Sequence, residues 1–516
     1  MKSRWFVCFL LAAAAFVGDA KSRAQSDTAK HARALIAGLD YEEARGVLAS
    51  ADPEETGVAI ERARLAIYEL DCDGAVAILG RPELQKPSAG EELADIARGC
   101  QRVTAALAVD SDSKRGIEVR WQDEHDRALA PLLFDTVASA RDTLTRDLGV
   151  DWPRPTRIVV VRDLLSLSAM TGLPYKSAQT TGTVAVAKWG RVTLLSPRAS
   201  RHGYSWRDTV AHELAHLAVT RASRDRAPLW LQEGVAKREE VRWRAPGPFD
   251  DNPPADAIVE HGRQRGLGLP LDKLGPSIAM LPSADAATVA FAEVTSFVRF
   301  YVRTLGDQAL SKLFAELKDG KETDDALVAA SGTNLKGWDT RWRAQLALEP
   351  GEPAPTLFGL DRDRHEMEKW GERRDRSRLA ELLLVRGHAN EALAELDRLG
   401  DAMGARLAAD PSARWLRGRA LEAAGRRKDH EALVADPSRL ASSFGPWWAL
   451  RGRWEREEGN EVDAGQSFAE AVAVDPFNVE AACEGIEPGA APKDADKVPL
   501  CDAAHATSGD PLSDEE

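Results

Sequence analysis

The sequence predicts an α+β chain: a central region of short strands and helices, set between two regions built of helices alone. Three observations carry this expectation. Residues 116–348 alternate short β-patterned runs with amphipathic helices, one of which holds His212-Glu213-Leu214-Ala215-His216. Residues 25–112 show Ala-rich apolar spacing at helical period throughout. Residues 370–486 repeat a pattern at intervals of 34 residues. A length of 516 residues fits about three domains.

Residues 1–24 read as an export signal. Lys2 and Arg4 make a positive start, Trp5–Val17 is an apolar run, and small residues follow at Gly18-Asp19-Ala20 and Ser22-Arg23-Ala24. The run is too short for a comfortable membrane span, although it could stay on as an N-terminal anchor. Cys8 lies inside it with no small-residue lipobox before it. No other segment approaches spanning length, so the mature chain is expected to be exported, periplasmic or secreted, with no membrane span.

The N-terminal region, 25–112, is expected to be helical over Ala29–Leu39, Tyr41–Leu48, Ile60–Glu69, Gly74–Leu79 and Glu91–Val109. Removal of the leader leaves four cysteines, and an even count in an exported chain points to disulfides. Three pairings are open; proximity in the chain favours Cys72–Cys100 and Cys483–Cys501. None lies near the His-Glu motif, which leaves no thiolate metal site.

In the central region, strands are expected at Ile117–Trp121 and Arg157–Val161, a helix at Arg127–Leu148 and a hairpin over Thr181–Ser196 with its turn at Lys188-Trp189-Gly190-Arg191. Asp208–Thr220 then reads as one amphipathic helix, with Val210, Leu214 and Leu217 as its apolar stripe. One turn separates His212 from His216, so both imidazoles face the same way and can bind one zinc ion. Glu213 stands beside them, placed to take a proton from a water at the metal. Pro228 starts a second helix with Trp230-Leu231-Gln232-Glu233-Gly234, which brings Glu233 back as a third ligand and leaves a fourth position open. Glu239 or Glu240 could replace Glu233 in that role. Such a site is hydrolytic, most often proteolytic. A helix Thr288–Thr304 and the segment Trp338-Asp339-Thr340-Arg341-Trp342 close the region.

On these motifs the chain resembles the gluzincin metallopeptidases, and among them the bacterial peptidase MA-like group, over roughly residues 116–348. The resemblance implies a thermolysin-like catalytic domain, a small mixed sheet with the motif helix and a helical subdomain, with His212, His216 and Glu233 as zinc ligands and Glu213 as general base. Two positions depart from it. Thermolysin-like members carry an Asp four residues after the ligand Glu, where it bonds a ligand His; here that residue is Lys237. The orienting partner must then come from elsewhere, Glu240 or Asp208. Relatives often carry a Tyr where this chain has Phe291. The oxyanion donor stays open among Tyr204, Tyr301, His202 and His261, with Tyr175 the remaining tyrosine of the region.

A Pro-rich linker, 349–369, follows. Beyond it Leu416-Arg417-Gly418-Arg419 recurs as Leu450-Arg451-Gly452-Arg453, and Gly425 and Gly459 keep the period. Ala464, Phe468, Ala471 and Pro476 complete the second copy, so 370–486 resembles a short tetratricopeptide array, and residues 25–112 resemble a degenerate one. The last segment, 487–516, reads as a polar mobile tail tied back at Cys501. A net charge of −14 with no basic stripe gives no support for nucleic-acid binding.

The reading is an exported zinc metallopeptidase. Its peptide or protein substrate would add as a strand along the hairpin edge, and helical repeats would recruit a substrate or partner protein. The alternative is a catalytically inactive scaffold that binds proteins through those repeats. If the C-terminal array only recruits, deletion of 370–516 should spare the cleavage of short peptides.

Overall fold

A computed structural model of the chain describes residues 26–84, 88–200, 203–247, 250–251, 254–274, 278, 281, 283–348, 364–403, 411–435, 444–484 and 498–507. The leader, His202 and most of the linker and tail lie outside the described residues.

The N-terminal helices are α1 (Asp27–Ala37), α2 (Tyr41–Ala49), α3 (Thr56–Tyr68), α4 (Cys72–Leu79) and α5 (Ser88–Thr104). Then come β1 (Ala108–Asp112), β2 (Ile117–Trp121), α6 (Ala130–Leu148), β3 (Thr156–Val161), α7 (Leu164–Thr171), α8 (Tyr175–Thr181), β4 (Ala185–Lys188) and β5 (Arg191–Leu195). The helical subdomain comprises α9 (Trp206–Ser223), α10 (Leu229–Glu239), α11 (Ala255–Gln264), α12 (Ala284–Leu305), α13 (Ala309–Lys318), α14 (Thr323–Ser331) and α15 (Leu335–Leu348). The C-terminal helices are α16 (Arg364–Val385), α17 (Ala389–Met403), α18 (Pro411–Ala423), α19 (Arg427–Ala435), α20 (Gly445–Glu457), α21 (Glu461–Val474), α22 (Val479–Ala482) and α23 (Val498–Thr507). No helix of the described residues is long and apolar enough to cross a membrane.

The five strands form one mixed sheet in the order β1-β2-β3-β5-β4. β2, β3 and β5 run parallel, and β1 and β4 pair antiparallel at the two ends. The central strand, Thr156-Arg157-Ile158-Val159-Val160-Val161, is apolar almost without interruption because helices cover both faces. Ile158 and Val160 pack with α6 and α9, whereas Val159 and Val161 pack with Leu167, Met170 and the Cys72–Cys100 pair. Both expected disulfides are present: Cys72–Cys100 with Cα atoms 5.7 Å apart and Cys483–Cys501 with Cα atoms 4.7 Å apart.

Three expectations need correction. The helix expected to run to Val109 stops at Thr104, and β1 follows, paired along its whole length with β2. That strand carries little apolar alternation of its own; its partner sets its conformation. The stretch Thr181–Val184 adds no strand, and the hairpin proper is β4–β5, while Tyr175–Thr181 is helical. Within the expected mobile tail, Val498–Thr507 is a helix with Leu500, Cys501, Ala503 and Ala504 buried. The disulfide and the contact with a 3₁₀ turn at Glu124–Leu129 hold it there.

The flanking helices are not separate from the central core. Leu35, Ile36, Leu39, Tyr41 and Leu48 share one cluster with the sheet and α9, and so do Phe477, Ala482, Leu500, Ala503 and Ala504. At the C-terminal junction, the Tyr204 amide donates to the Val474 carbonyl (2.8 Å) and the buried Trp206 indole to that of Val472 (3.4 Å). The C-terminal chain therefore anchors the first turn of α9.

Candidate functional site

Helix α9 is buried along most of its length, with Val210, Leu214, Ala215, Ala218 and Val219 in the core. That burial fixes its rotation, and the partly exposed side left over carries His212 and His216. α10 crosses it closely and is backed by α12. Gly234 lets α12 come close behind α10: a Cβ there would stand 2.5 Å from Val298 Cγ2 and 2.6 Å from the Val294 carbonyl. The residue before it, Glu233, faces the two histidines.

The three expected ligands come together. His212 Nε2 and His216 Nε2 are 3.2 Å apart. Glu233 Oε2 lies 3.9 Å from the first and 3.7 Å from the second. All three ligand atoms fall within 4.8 Å of one another. Two ligands about 2.0–2.1 Å from a tetrahedral zinc stand about 3.3 Å apart, so the histidine pair fits and the carboxylate needs a small inward shift.

The orienting bond also has a partner. His212 Nδ1 lies 3.1 Å from Glu240 Oε2. A carboxylate there calls for the proton on Nδ1 and leaves the Nε2 lone pair for a metal. Lys237 Nζ bonds both oxygens of Glu240, at 2.7 and 2.9 Å. Burial alone would raise the Glu240 carboxyl, but the bond to His212 and the Lys237 charge outweigh it and hold the group below its ordinary value. The residue that departs from the family pattern thus steadies a carboxylate supplied three positions later. Asp208, the other expected source, instead takes bonds from Trp243 and Arg244. Glu239 points away, buried against Arg238 and Arg242. Neither Glu239 nor Glu240 joins the ligand cluster.

Glu213 is 8% exposed and accepts a 2.6 Å hydrogen bond from the Ala187 amide of β4. Burial raises its carboxyl, against the His216 charge and that amide. β4 is the last strand of the sheet, and the alternation of bonds with β5 leaves the Ala187 N–H on its outer side. The candidate base therefore stands at the sheet edge.

The oxyanion candidates separate. The Tyr204 hydroxyl donates to the Leu195 carbonyl. Tyr301 is 2% exposed and meets Trp338 edge-on, its ring centroid 5.0 Å away. His261 lies near the end of α11, which packs on α12. Tyr175 is largely exposed on α8. Burial holds the Tyr204 phenol well above its ordinary value and the Glu213 carboxylate adds to this, so Tyr204 stands on the side of the candidate base; His261 is not among the atoms of the ligand cluster. Sequence reasoning missed the Ala187 amide, because a backbone donor has no side-chain signature.

Residues 139–348 match the family model of the Peptidase MA superfamily. The match runs from the second half of α6 to α15, covers both motifs, and supports a metallopeptidase-like domain of that clan. No curated protein and no solved structure matches the chain.

Proposed function

We propose that this chain is a zinc-dependent peptidase of the gluzincin type, exported from the cell, with His212, His216 and Glu233 as ligands and Glu213 as general base. The observation that carries the reading is the convergence of the three ligand atoms beside a buried carboxylate at an open sheet edge. Zinc, when bound, would supply a Lewis acid that polarises a carbonyl and makes water acidic near neutral pH. Glu213 takes the proton of the attacking water and passes it to the leaving amine. The Ala187 amide holds one of its oxygens, and Glu240, steadied by Lys237, keeps the His212 ring oriented. A substrate strand fits the outer side of β4, where antiparallel addition would use the outward backbone groups other than the Ala187 N–H, which Glu213 takes. Two disulfides support an oxidising destination. The helical repeats remain candidates for holding a partner or substrate protein.

Glu213→Gln tests the reading. It keeps size and ligands and removes the base. Zinc content should stay stoichiometric while hydrolysis of a peptide library falls by roughly 10² or more. Hydrolysis equal to wild type would place the activity elsewhere. A zinc-loaded wild type with no activity would favour the inactive scaffold.

A further inference from the structure

Three consecutive residues at the β4–β5 turn are each plugged into helices. Trp189 and Gly190 have φ values of 56° and 67°, the left-handed pair of a two-residue type I′ hairpin. Asn-Gly is the usual choice for that turn, and a bulky first residue is unfavourable on local grounds. Trp189 is nevertheless 8% exposed, packed with residues of α3, α4 and α5. Its indole N–H donates to the Thr171 carbonyl at the end of α7 (3.2 Å), and its ring meets Tyr68 edge-on at 5.8 Å. Gly190 lies against Tyr41 of α2, where a Cβ would stand 1.8 Å from the hydroxyl.

Arg191 is fully buried. Its guanidinium donates to the carbonyls of Ile67 (2.7 Å), Met170 (3.2 Å) and Trp189 (3.4 Å), and Nη2 lies 3.9 Å from Cys100 Sγ. Among the described residues no carboxylate pairs with it. Ile67 and Met170 belong to the last turns of α3 and α7, at the negative end of each helix dipole; the Ile67 carbonyl also accepts from the Leu70 amide (3.2 Å). Two helix ends thus stand in for a counter-ion. Of these elements, α2, α3, α4 and α5 belong to the N-terminal region, and the Cys72–Cys100 bond ties α5 to α4.

Two residues before Trp189 is Ala187, whose amide holds Glu213. Along a strand that is about 7 Å. We propose that the N-terminal helices are a clamp on the substrate-edge hairpin, and that Trp189 and Arg191 are positioning residues that set Ala187, and through it Glu213, for peptide hydrolysis. The clamp deepens the peptidase reading and, in its effect on rate, rests on it. It gives the N-terminal helices a role in the chemistry rather than in recruitment.

The test uses the full mature chain with zinc. Trp189→Asn installs the favoured turn pair but withdraws the indole from the helices. Arg191→Met fills the space without the charge. Zinc content should not change, because the ligands sit on α9 and α10. Amide exchange at residues 185–187 should quicken at least tenfold, and kcat should fall at least tenfold at temperatures well below unfolding. Arg191→Lys, which returns a cation to the two helix ends, should recover part of both losses. Trp189→Phe, which keeps the ring and loses the N–H, should show a smaller effect than Trp189→Asn. If the Asn or Met variants do not fold, the Lys and Phe variants carry the test. Folded, zinc-loaded Lys and Phe variants with wild-type kcat and wild-type exchange at 185–187 would overturn the clamp. So would a loss of kcat that follows loss of zinc or of folding, with edge exchange unchanged. Exchange is read without turnover, so a wild type lacking peptidase activity would sink the peptidase reading while the clamp is still judged by its amides.

Discussion

His212 has two different neighbours on its two ring nitrogens, and that difference sets the nearby carboxylates apart by position. Glu233 shares space with both Nε2 atoms, whereas Glu240 bonds Nδ1 on the other side of the ring. A ligand and an orienting partner should fail differently. Glu240→Ala should weaken zinc binding by about 10–100-fold while leaving a stoichiometric site at saturating metal. Glu233→Ala should cost more, and His212→Ala should abolish stoichiometric binding. Zinc titration against a competing chelator measures all three. A larger loss for Glu240→Ala than for Glu233→Ala would exchange the two roles. Lys237→Ala should act in the same direction as Glu240→Ala and more weakly, because it loosens the carboxylate without removing it.

At the level of elements, legibility followed the source of the order. α9 and α10 were readable because Val210, Leu214, Leu217 and Leu231 mark their buried faces at helical spacing. The central strand was readable as an apolar run. β1 was not, since Ala108-Val109-Asp110-Ser111-Asp112 is extended through its pairing with β2. That His212 and His216 share a face was legible from their one-turn spacing, whereas the choice of Glu233 over Glu239 and Glu240 as their neighbour came only from how α10 crosses α9. The burial of Arg191 was not, because the carbonyls that receive it come from residues far away in sequence. α12 carries another feature that spacing cannot reveal. Glu293 is 1% exposed, and burial pushes its carboxyl up to about 7. Asp339 adds to this, while the Leu269 amide at 3.2 Å and Arg343 at 3.8 Å act against it. The folded chain thus keeps this proton to a higher pH than the unfolded chain, whose ordinary value is 4.5. The protonated form stabilises fully below about pH 4.5, and the contribution is lost as pH rises to about 7. Glu293→Gln keeps an acceptor for Leu269 and removes the titration. Its melting temperature relative to wild type should rise between pH 4.5 and 7 and level off above. A difference that does not change with pH would show that Glu293 ionises at its ordinary value.

For the whole molecule, the question is whether the C-terminal helices form a detachable module. The repeat pattern at Leu416 and Leu450 suggests one, since repeats stack mainly on their neighbours. The last helices contradict that picture. The carbonyls of Val472 and Val474 receive the Trp206 indole and the Tyr204 amide, Phe477 lies beneath the Arg198 guanidinium at 5.5 Å, and Ala503 and Ala504 close the central core. Trp206 is fully buried and begins the helix that bears His212 and His216. Removal of these contacts would expose a tryptophan and leave a buried helix start without its acceptors, a loss of several kcal/mol. The earlier expectation, that a chain lacking 370–516 keeps its small-peptide activity, is therefore replaced. Deletion of 444–516 should yield protein that melts many degrees lower or aggregates, with zinc binding weakened although every ligand remains. Deletion of 364–435 alone, with a short linker to residue 444, should be far milder, because the docked helices stay. Thermal unfolding and zinc content of the two truncations decide the matter. A 444–516 deletion with wild-type stability and zinc affinity would return the array to the status of an appended module, and the catalytic region would then fold without it.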